Sequence, residues 1–176
     1  MPTRKKPLKP RATPIEPGKP APAFDLQDQN GQHRRLADYA GRRLVVFFYP
    51  KDSTSGCTTE ACGFQASLED FESINAAVVG ISILPPKSKA KFASANDLSF
   101  PLLADDRLGE DGKPDPEVAR AFGVWKQKSM YGRTYMGIER TTFIIDADGM
   151  IAHRFDSVGV KDHAAEVLAR LEQSAG

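Results

Sequence analysis

The chain has 176 residues, with 24 basic and 23 acidic side chains and a formal net charge of +1. This length suits one domain, which can bury about 68–70% of its unfolded surface without a structural metal or disulfide. The balanced charge argues against nucleic acid or an anionic membrane as partner, and no apolar run approaches the roughly 18 residues of a membrane span. Two cysteines are too few for a disulfide scaffold. We therefore expect a reducing, cytoplasmic setting in which any disulfide is transient.

The N-terminal stretch differs from the rest in composition. Residues 1–22 hold seven of the 13 prolines and six basic residues, with Glu16 as their single acid. Such a composition cannot bury enough apolar surface to order itself, so it predicts a disordered tail over 1–20 and one folded domain over 21–176. An interaction or targeting tail is the alternative, although the apolar stretch of a secretory signal is lacking.

The first half of the domain has clear strand and turn signals. Two short segments, 24–27 and 32–36, flank Asn30-Gly31, which is a strong hairpin-turn signal. A helical turn over 36–40 follows. The remaining elements of this half are predicted from apolar runs and helical spacing: a buried strand over 43–49 that ends at Pro50, a helix from about 57 to 73, and a parallel partner strand over 76–84.

The second half continues the alternation of helices and strands. It is predicted to contain, in order, a helix from Pro85-Pro86 to Asn96, a short strand over 100–104, a polar loop over 105–114, a short helix capped by Asp115 and ending at Phe122, a long basic and aromatic loop over 125–136, a hairpin of 138–145 with 150–155, and a last helix over 162–173. A strand–helix–strand unit followed by a hairpin and a helix is the thioredoxin-like order.

Cys57 occupies an unusual place in this pattern. It follows the buried strand after a turn, at the predicted N-terminus of a helix. Unpaired N–H groups and the positive end of the helix dipole stabilise an anion there, so the position favours a thiolate. Taken by itself, the position is equally compatible with a small buried hydrophobic residue.

The surrounding residues resemble a known family. The pattern Pro50-x-x-x-Thr54-x-x-Cys57 resembles the peroxidatic motif of the peroxiredoxins, and Cys62 resembles the second cysteine of the bacterioferritin-comigratory-protein (PrxQ) subgroup. The stretches 123–125 and 135–146 agree, so the resemblance covers roughly residues 16–173. It implies an α/β, thioredoxin-like fold with a central mixed β-sheet flanked by helices and an N-terminal β-hairpin.

The same resemblance implies an activity, its partners and the role of each residue. A thiol-dependent peroxidase would reduce hydrogen peroxide and organic hydroperoxides, with thioredoxin or a similar dithiol as reductant, as a monomer and without a cofactor. Cys57 would become a sulfenic acid, Cys62 would condense with it, Arg140 and Thr54 would donate hydrogen bonds to the thiolate and the peroxide, and Pro50 would shield the thiolate from water.

Each of these residues also has a purely structural interpretation. Arg140 could be a solvated charge at a strand end, Thr54 a helix cap, Pro50 a strand terminator and Cys62 a core residue. On a regular helix the Cα atoms of Cys57 and Cys62 would lie about 8.6 Å apart, whereas a disulfide requires less than about 7 Å. The proposed disulfide therefore predicts that the helix opens locally.

Two other classes of function are compatible with the fold. A thioredoxin-like disulfide reductase usually needs a Cys-x-x-Cys pair, which this chain lacks. A copper carrier or holdase is the non-enzymatic alternative. The three histidines, His33, His153 and His163, lie far apart in sequence, and the cysteine spacing does not match a zinc site, so no metal is predicted.

Overall fold

A seven-stranded mixed β-sheet forms the centre of the computed structural model, which describes residues 8–156 and 158–174. The elements in chain order are β1 (Asp25–Gln27), β2 (His33–Arg35), a 3-10 turn (Leu36–Tyr39), β3 (Arg43–Phe48), α1 (Ser55–Ala66), α2 (Leu68–Ser73), β4 (Ala76–Ser82), α3 (Pro86–Asn96), β5 (Leu102–Ala104), α4 (Glu117–Phe122), β6 (Trp125–Met130), β7 (Arg133–Ile138), β8 (Thr141–Ile145), β9 (Ile151–Phe155) and α5 (His163–Gln173).

The order of strands in the sheet is β2-β1-β5-β4-β3-β8-β9. Strands β3, β4 and β5 are parallel neighbours, whereas β1, β8 and β9 pair antiparallel with their neighbours. The predicted fold class, a central mixed sheet flanked by helices with an N-terminal hairpin, is confirmed. So are the β1–β2 hairpin and the parallel pairing of the two central strands.

Two hydrophobic clusters cover the two faces of the sheet. Successive residues of β3 alternate between them: Val45 and Phe47 face the cluster that includes α1, α2, α3 and α5, and Val46 and Phe48 face the cluster that includes α4. All of these β3 side chains are fully buried, which accounts for the continuous apolar run in a strand covered on both sides. Among the described residues, no helix combines the length and apolar character needed to cross a membrane.

The predicted helix over 57–73 is two helices. Ser67 ends α1 and begins α2, with φ −100° and ψ 5°, so the chain bends at this residue. The start is also earlier than predicted, because Thr54 is the N-cap and Ser55 the first helical residue. Cys57 therefore lies in the first turn of a helix of 12 residues.

The predicted loop over 125–136 is wrong, because this segment belongs to a two-stranded antiparallel hairpin of β6 and β7. Its turn is Tyr131-Gly132, with φ values of 51° and 76°, the left-handed conformation of both turn residues that suits a tight hairpin. Polar and charged residues on both faces hid the strand pattern. A smaller difference concerns α4, where Pro116 rather than Asp115 is the N-cap residue.

The segment before residue 21 also differs from expectation. Residues 1–7 lie outside the described part, but Ile15 is 2% exposed and belongs to one of the two core clusters. The Arg11 and Ile15 N–H groups donate to the carbonyls of Arg120 and Phe122 over 2.9 and 3.0 Å. From Arg11 onward the chain thus makes backbone and core contacts with the folded residues, despite its proline-rich composition.

Candidate active site

Cys57 is placed by the connection between β3 and α1. β3 ends at Phe48, the loop 49–54 follows at the C-terminal end of this strand, and α1 begins at Ser55. The Cys57 side chain is 1% exposed and joins the core cluster beneath α1. A thiol in the first helical turn lies where free N–H groups and the helix dipole favour negative charge.

Arg140 meets Cys57 from the other side of the site. Its Nη2 atom lies 3.3 Å from Cys57 Sγ, within hydrogen-bond reach of sulfur. The residue is not in a strand, as predicted, but in the short connection between β7 and β8, where its carbonyl accepts a hydrogen bond from the Val158 N–H. A Cβ atom on Gly56 would lie 3.3 Å from Arg140 Nη2, so the lack of a side chain there leaves room for the guanidinium.

Glu60 is a member of this site that the sequence did not single out. It lies one helical turn after Cys57 on α1, it is 1% exposed, and its Oε1 accepts a 2.8 Å hydrogen bond from Arg140 Nη1. Its Oε2 is buried, with no hydrogen-bond partner among the described residues. The available signal was the i, i+3 spacing, which puts an acidic residue on the same helical face as Cys57.

The charges of the three side chains are coupled. Burial raises the pKa of the Glu60 carboxyl to about 7, although Arg140 works in the opposite direction. Burial also opposes the charge on Arg140, but Glu60 and Cys57 outweigh it and raise the pKa of the guanidinium. Arg140 therefore remains a cation that directs one N–H group to a carboxyl and another to a sulfur.

Thr54 is close to the site, but its hydroxyl is engaged elsewhere in this conformation. Thr54 Oγ1 donates to the Lys51 carbonyl over 3.1 Å, and the Thr54 carbonyl accepts from the Thr58 N–H over 2.9 Å. The residue is the N-cap of α1 by backbone geometry, without a capping bond from its side chain. Pro50 is half-buried in the loop that directly follows β3.

Cys62 lies further along the same helix, and both cysteines are free thiols. It is half-buried, and its sulfur is 3.9 Å from Asn96 Oδ1 at the end of α3. Cys57 is fully buried by comparison. The structure thus brings Cys57, Arg140 and Glu60 together, and holds Cys62 apart from them against α3.

This arrangement suits attack by a thiolate on a polarised bond. The helix N-terminus and the guanidinium both stabilise negative charge on sulfur. The same guanidinium is positioned to stabilise charge that develops on a departing oxygen, as donors do in an oxyanion site.

A family model and individual protein sequences both match most of the chain. Residues 17–154 match the model of the AhpC/TSA family. The chain is 43% identical over 158 residues to peroxiredoxin Bcp of Bacillus subtilis, covering 90% of this chain and 96% of the relative. It is 41% identical over 162 residues to peroxiredoxin Bcp of Escherichia coli K12, covering 92% and 99%.

Solved structures agree with these sequence matches. Peroxiredoxin Q of Xanthomonas campestris superposes with a TM-score of 0.77 at 38% identity, covering 87% of this chain and 92% of that one. Peroxidoxin BcpB of Mycobacterium tuberculosis superposes with a TM-score of 0.76 at 36% identity, covering 91% and 98%.

Proposed function

Because the chain belongs to the AhpC/TSA family and is a peroxiredoxin-type peroxidase, we propose that Cys57 is the thiol that attacks the peroxide. The observation that carries this assignment is the 3.3 Å contact between Arg140 Nη2 and the sulfur of Cys57 in the first turn of α1. Cys62, which lies against Asn96, lacks both the cationic partner and the helix N-terminus.

In the first step the Cys57 thiolate attacks one oxygen of ROOH and the O–O bond breaks. The sulfur takes the attacked OH group and becomes a sulfenic acid, and the departing RO⁻ takes up the proton released when the thiol ionised and leaves as ROH. Arg140 stabilises the negative charge as it moves from sulfur to the departing oxygen. Thr54 and Pro50 belong to the loop before α1. In this proposal Pro50 shields the thiolate from water, and the Thr54 hydroxyl turns from the Lys51 carbonyl toward the substrate.

In the second step the Cys62 thiol attacks the sulfenic sulfur. A Cys57–Cys62 disulfide forms and one water leaves. An external dithiol then reduces the disulfide, regenerating both thiols and becoming a disulfide itself. Thioredoxin or a similar dithiol is our proposed reductant, in a reducing cytoplasmic setting and with the peroxidase acting as a monomer.

The substrate class follows from the chemistry and from one relative. The structure of the Xanthomonas campestris bacterioferritin comigratory protein is described in terms of alkyl peroxide reduction activity. By similarity we extend the proposed substrates of this chain from hydrogen peroxide to organic hydroperoxides.

The test is peroxide consumption with a thioredoxin system, comparing the wild type with Cys57→Ser and Cys62→Ser. We expect no turnover with Cys57→Ser. With Cys62→Ser we expect one equivalent of peroxide to be consumed and a sulfenic acid to be trapped by dimedone. Turnover by Cys57→Ser would contradict the assignment of the attacking thiol, and insulin reduction without peroxide turnover would indicate a disulfide reductase instead.

A further inference from the structure

A buried polar cluster lies beneath the loop that leads to Cys57. Its centre is Asp52, which is 6% exposed although it belongs to a surface connection between a strand and a helix. Its carboxylate receives hydrogen bonds from within the loop, from the end of β4 and from the start of α3. These are the Tyr49 hydroxyl at 2.5 Å and the Ser82 hydroxyl at 3.4 Å to Oδ1, and the Ser88 hydroxyl at 2.8 Å to Oδ2, with the Lys89 ammonium 3.4 and 3.3 Å from Oδ1 and Oδ2.

Lys89 is the second charged member and is fully buried. Its Nζ also donates to Ser82 Oγ over 2.7 Å and lies 5.5 Å from the centre of the Tyr49 ring. Burial lowers the pKa of Lys89, while Asp52 opposes that change. A buried ammonium near the N-terminus of α3 is unfavourable both for its desolvation and for its sign relative to the helix dipole.

The loop above the cluster has a strained backbone. Ser53, directly after Asp52, has φ 63°, a left-handed conformation that non-glycine residues rarely adopt. Such a conformation persists only where surrounding contacts hold it. The Asp52 side chain supplies such contacts, because the neighbouring Ser53 side chain is exposed and the Thr54 hydroxyl bonds within the loop.

These observations have a common explanation. A buried ion pair contributes little net stability compared with apolar residues of the same volume, so its presence here calls for another role. We propose that Asp52 and Lys89 are positioning residues that fix the loop 50–54 in the conformation that presents Thr54 and Cys57 to the peroxide. The pair connects this loop to the end of β4 and the start of α3.

The inference rests on the proposed role of Cys57, and its consequence concerns one half of the reaction cycle. The latch, defined as the Asp52–Lys89 pair, acts on the reduced protein, where the loop and the first turn of α1 are closed. Reaction of the thiol with peroxide should depend on it, since a small displacement of a reacting group costs about 10²-fold. Reduction of the disulfide should depend on it much less, since forming that disulfide already requires α1 to open.

The test compares Asp52→Asn, Lys89→Met and the double variant with the wild type. We expect each single variant to slow Cys57 oxidation by about tenfold to hundredfold, as followed by stopped-flow fluorescence of Trp125, the one tryptophan. Reduction of the disulfide by dithiothreitol should stay at the wild-type rate. The double variant buries no charge, so its thermal stability should recover while its oxidation rate stays low.

Asp28→Asn is the matched control. Asp28 is also a buried carboxylate in a turn, 1% exposed, with an arginine at 2.9 Å. It lies beside Gln29, whose side chain bonds the backbone of Phe100 and Leu102 before and at the start of β5, far from the loop after β3. We expect this variant to lose stability and keep the wild-type oxidation rate.

Hydrogen exchange supplies a readout that does not depend on peroxide chemistry. The Tyr49 and Thr58 amides flank the loop and donate to the carbonyls of Ile81 and Thr54. They should lose protection in the reduced Asp52→Asn and Lys89→Met proteins and keep it in Asp28→Asn. If a single variant does not fold, Ser88→Ala removes only one donor to Asp52, and it should slow oxidation by about twofold to tenfold, the range expected for the loss of one hydrogen bond.

The possible outcomes separate the two proposals. A wild type that consumes no peroxide would overturn the function, while exchange of the Tyr49 and Thr58 amides would still test the latch. The latch is overturned if the folded single variants keep both the wild-type rate and the protection of the Tyr49 and Thr58 amides. It is also overturned if Asp28→Asn slows oxidation as much as they do, or if the double variant regains rate together with stability.

Discussion

Arg140 is the residue on which the chemistry of the site depends most, because one guanidinium contacts two partners. Its Nη2 lies 3.3 Å from Cys57 Sγ and its Nη1 lies 2.8 Å from Glu60 Oε1. We predict that Arg140→Lys slows oxidation of Cys57 by about tenfold or more, because a single ammonium cannot present the planar fork that reaches both groups. The stopped-flow rate of oxidation by hydrogen peroxide measures this.

Arg107→Lys is the control for that substitution. Arg107 makes an exposed ion pair with Asp115 and has no contact with the site, so its replacement should leave the rate unchanged. If Arg140→Lys also left the rate unchanged, Arg140 would have only a structural role, as the ion-pair partner of Glu60.

Glu60 predicts a pH dependence of stability. Its folded pKa of about 7 lies above the ordinary value of 4.5 because of burial. A raised pKa means that the folded state binds the proton more tightly than the unfolded chain. The stabilisation of the fold by the protonated Glu60 carboxyl is therefore fully present below pH 4.5 and is lost as the pH rises through 7. Relative to Glu60→Gln, the wild type should lose up to about 3 kcal/mol of unfolding free energy across this interval.

Urea denaturation of both proteins between pH 4.5 and 7.5 checks the prediction. Other groups also contribute to the pH dependence of stability in this range, because burial raises the pKa of Asp105 to about 6 and lowers that of His163 to about 4. The difference between the two proteins cancels those contributions. The exposed Glu69→Gln variant should track the wild type, and parallel curves for wild type and Glu60→Gln would contradict the predicted burial effect.

At the scale of elements, the bend at Ser67 sets the size of the unit that must open. The helix α1 carries both cysteines, and α2 is a separate helix that contacts β4. We predict that oxidation removes amide protection in 55–66, while α2 remains protected, because a helix of one domain can open locally at modest cost. Hydrogen exchange of the reduced and oxidised proteins, with mass mapping of the disulfide peptide, measures this.

Besides its core packing, the second half of α1 makes two polar contacts with residues at and after the end of α3. Gln65 accepts the Ser99 N–H over 2.8 Å and donates to the Ser99 hydroxyl over 3.0 Å, and Cys62 lies against Asn96. These contacts are expected to break in the oxidised form. Equal protection of 55–66 in both redox states, or a disulfide found only between chains, would leave a one-cysteine enzyme resolved by an outside thiol.

Elements with strong apolar patterns were predictable from sequence, and those without them were not. The continuous run of β3 and the Asn-Gly turn gave correct strands. The β6–β7 hairpin is largely exposed and lacks alternating apolar residues, so it was predicted as a loop. Glu60 was missed because its function depends on Arg140, 80 residues away, and in the sequence it has the appearance of an ordinary helical surface charge.

At the scale of the whole molecule, the first described residues complete one of the two cores. Ile15 packs in the cluster that includes β3 and α4, and the Arg154 guanidinium donates to the carbonyls of Pro14 and Ile15 over 2.9 and 3.3 Å. A Cβ on Gly123, whose φ is 77°, would overlap the carbonyl of Thr13. Composition averaged over 22 residues concealed this buried apolar side chain.

The packing of Ile15 leads to a prediction that separates a docked segment from a disordered tail. Ile15→Ala should lower the unfolding free energy by about 2–5 kcal/mol, because it removes buried methylene groups and leaves a cavity. Urea denaturation measures this, with Lys9→Ala as the control, since Lys9 is exposed and its truncation should change stability by less than about 0.5 kcal/mol. In a disordered tail both substitutions would leave the unfolding free energy unchanged. A neutral Ile15→Ala would therefore return the domain boundary to residue 21, whereas a large loss would place it at or before Arg11, whose N–H bonds α4.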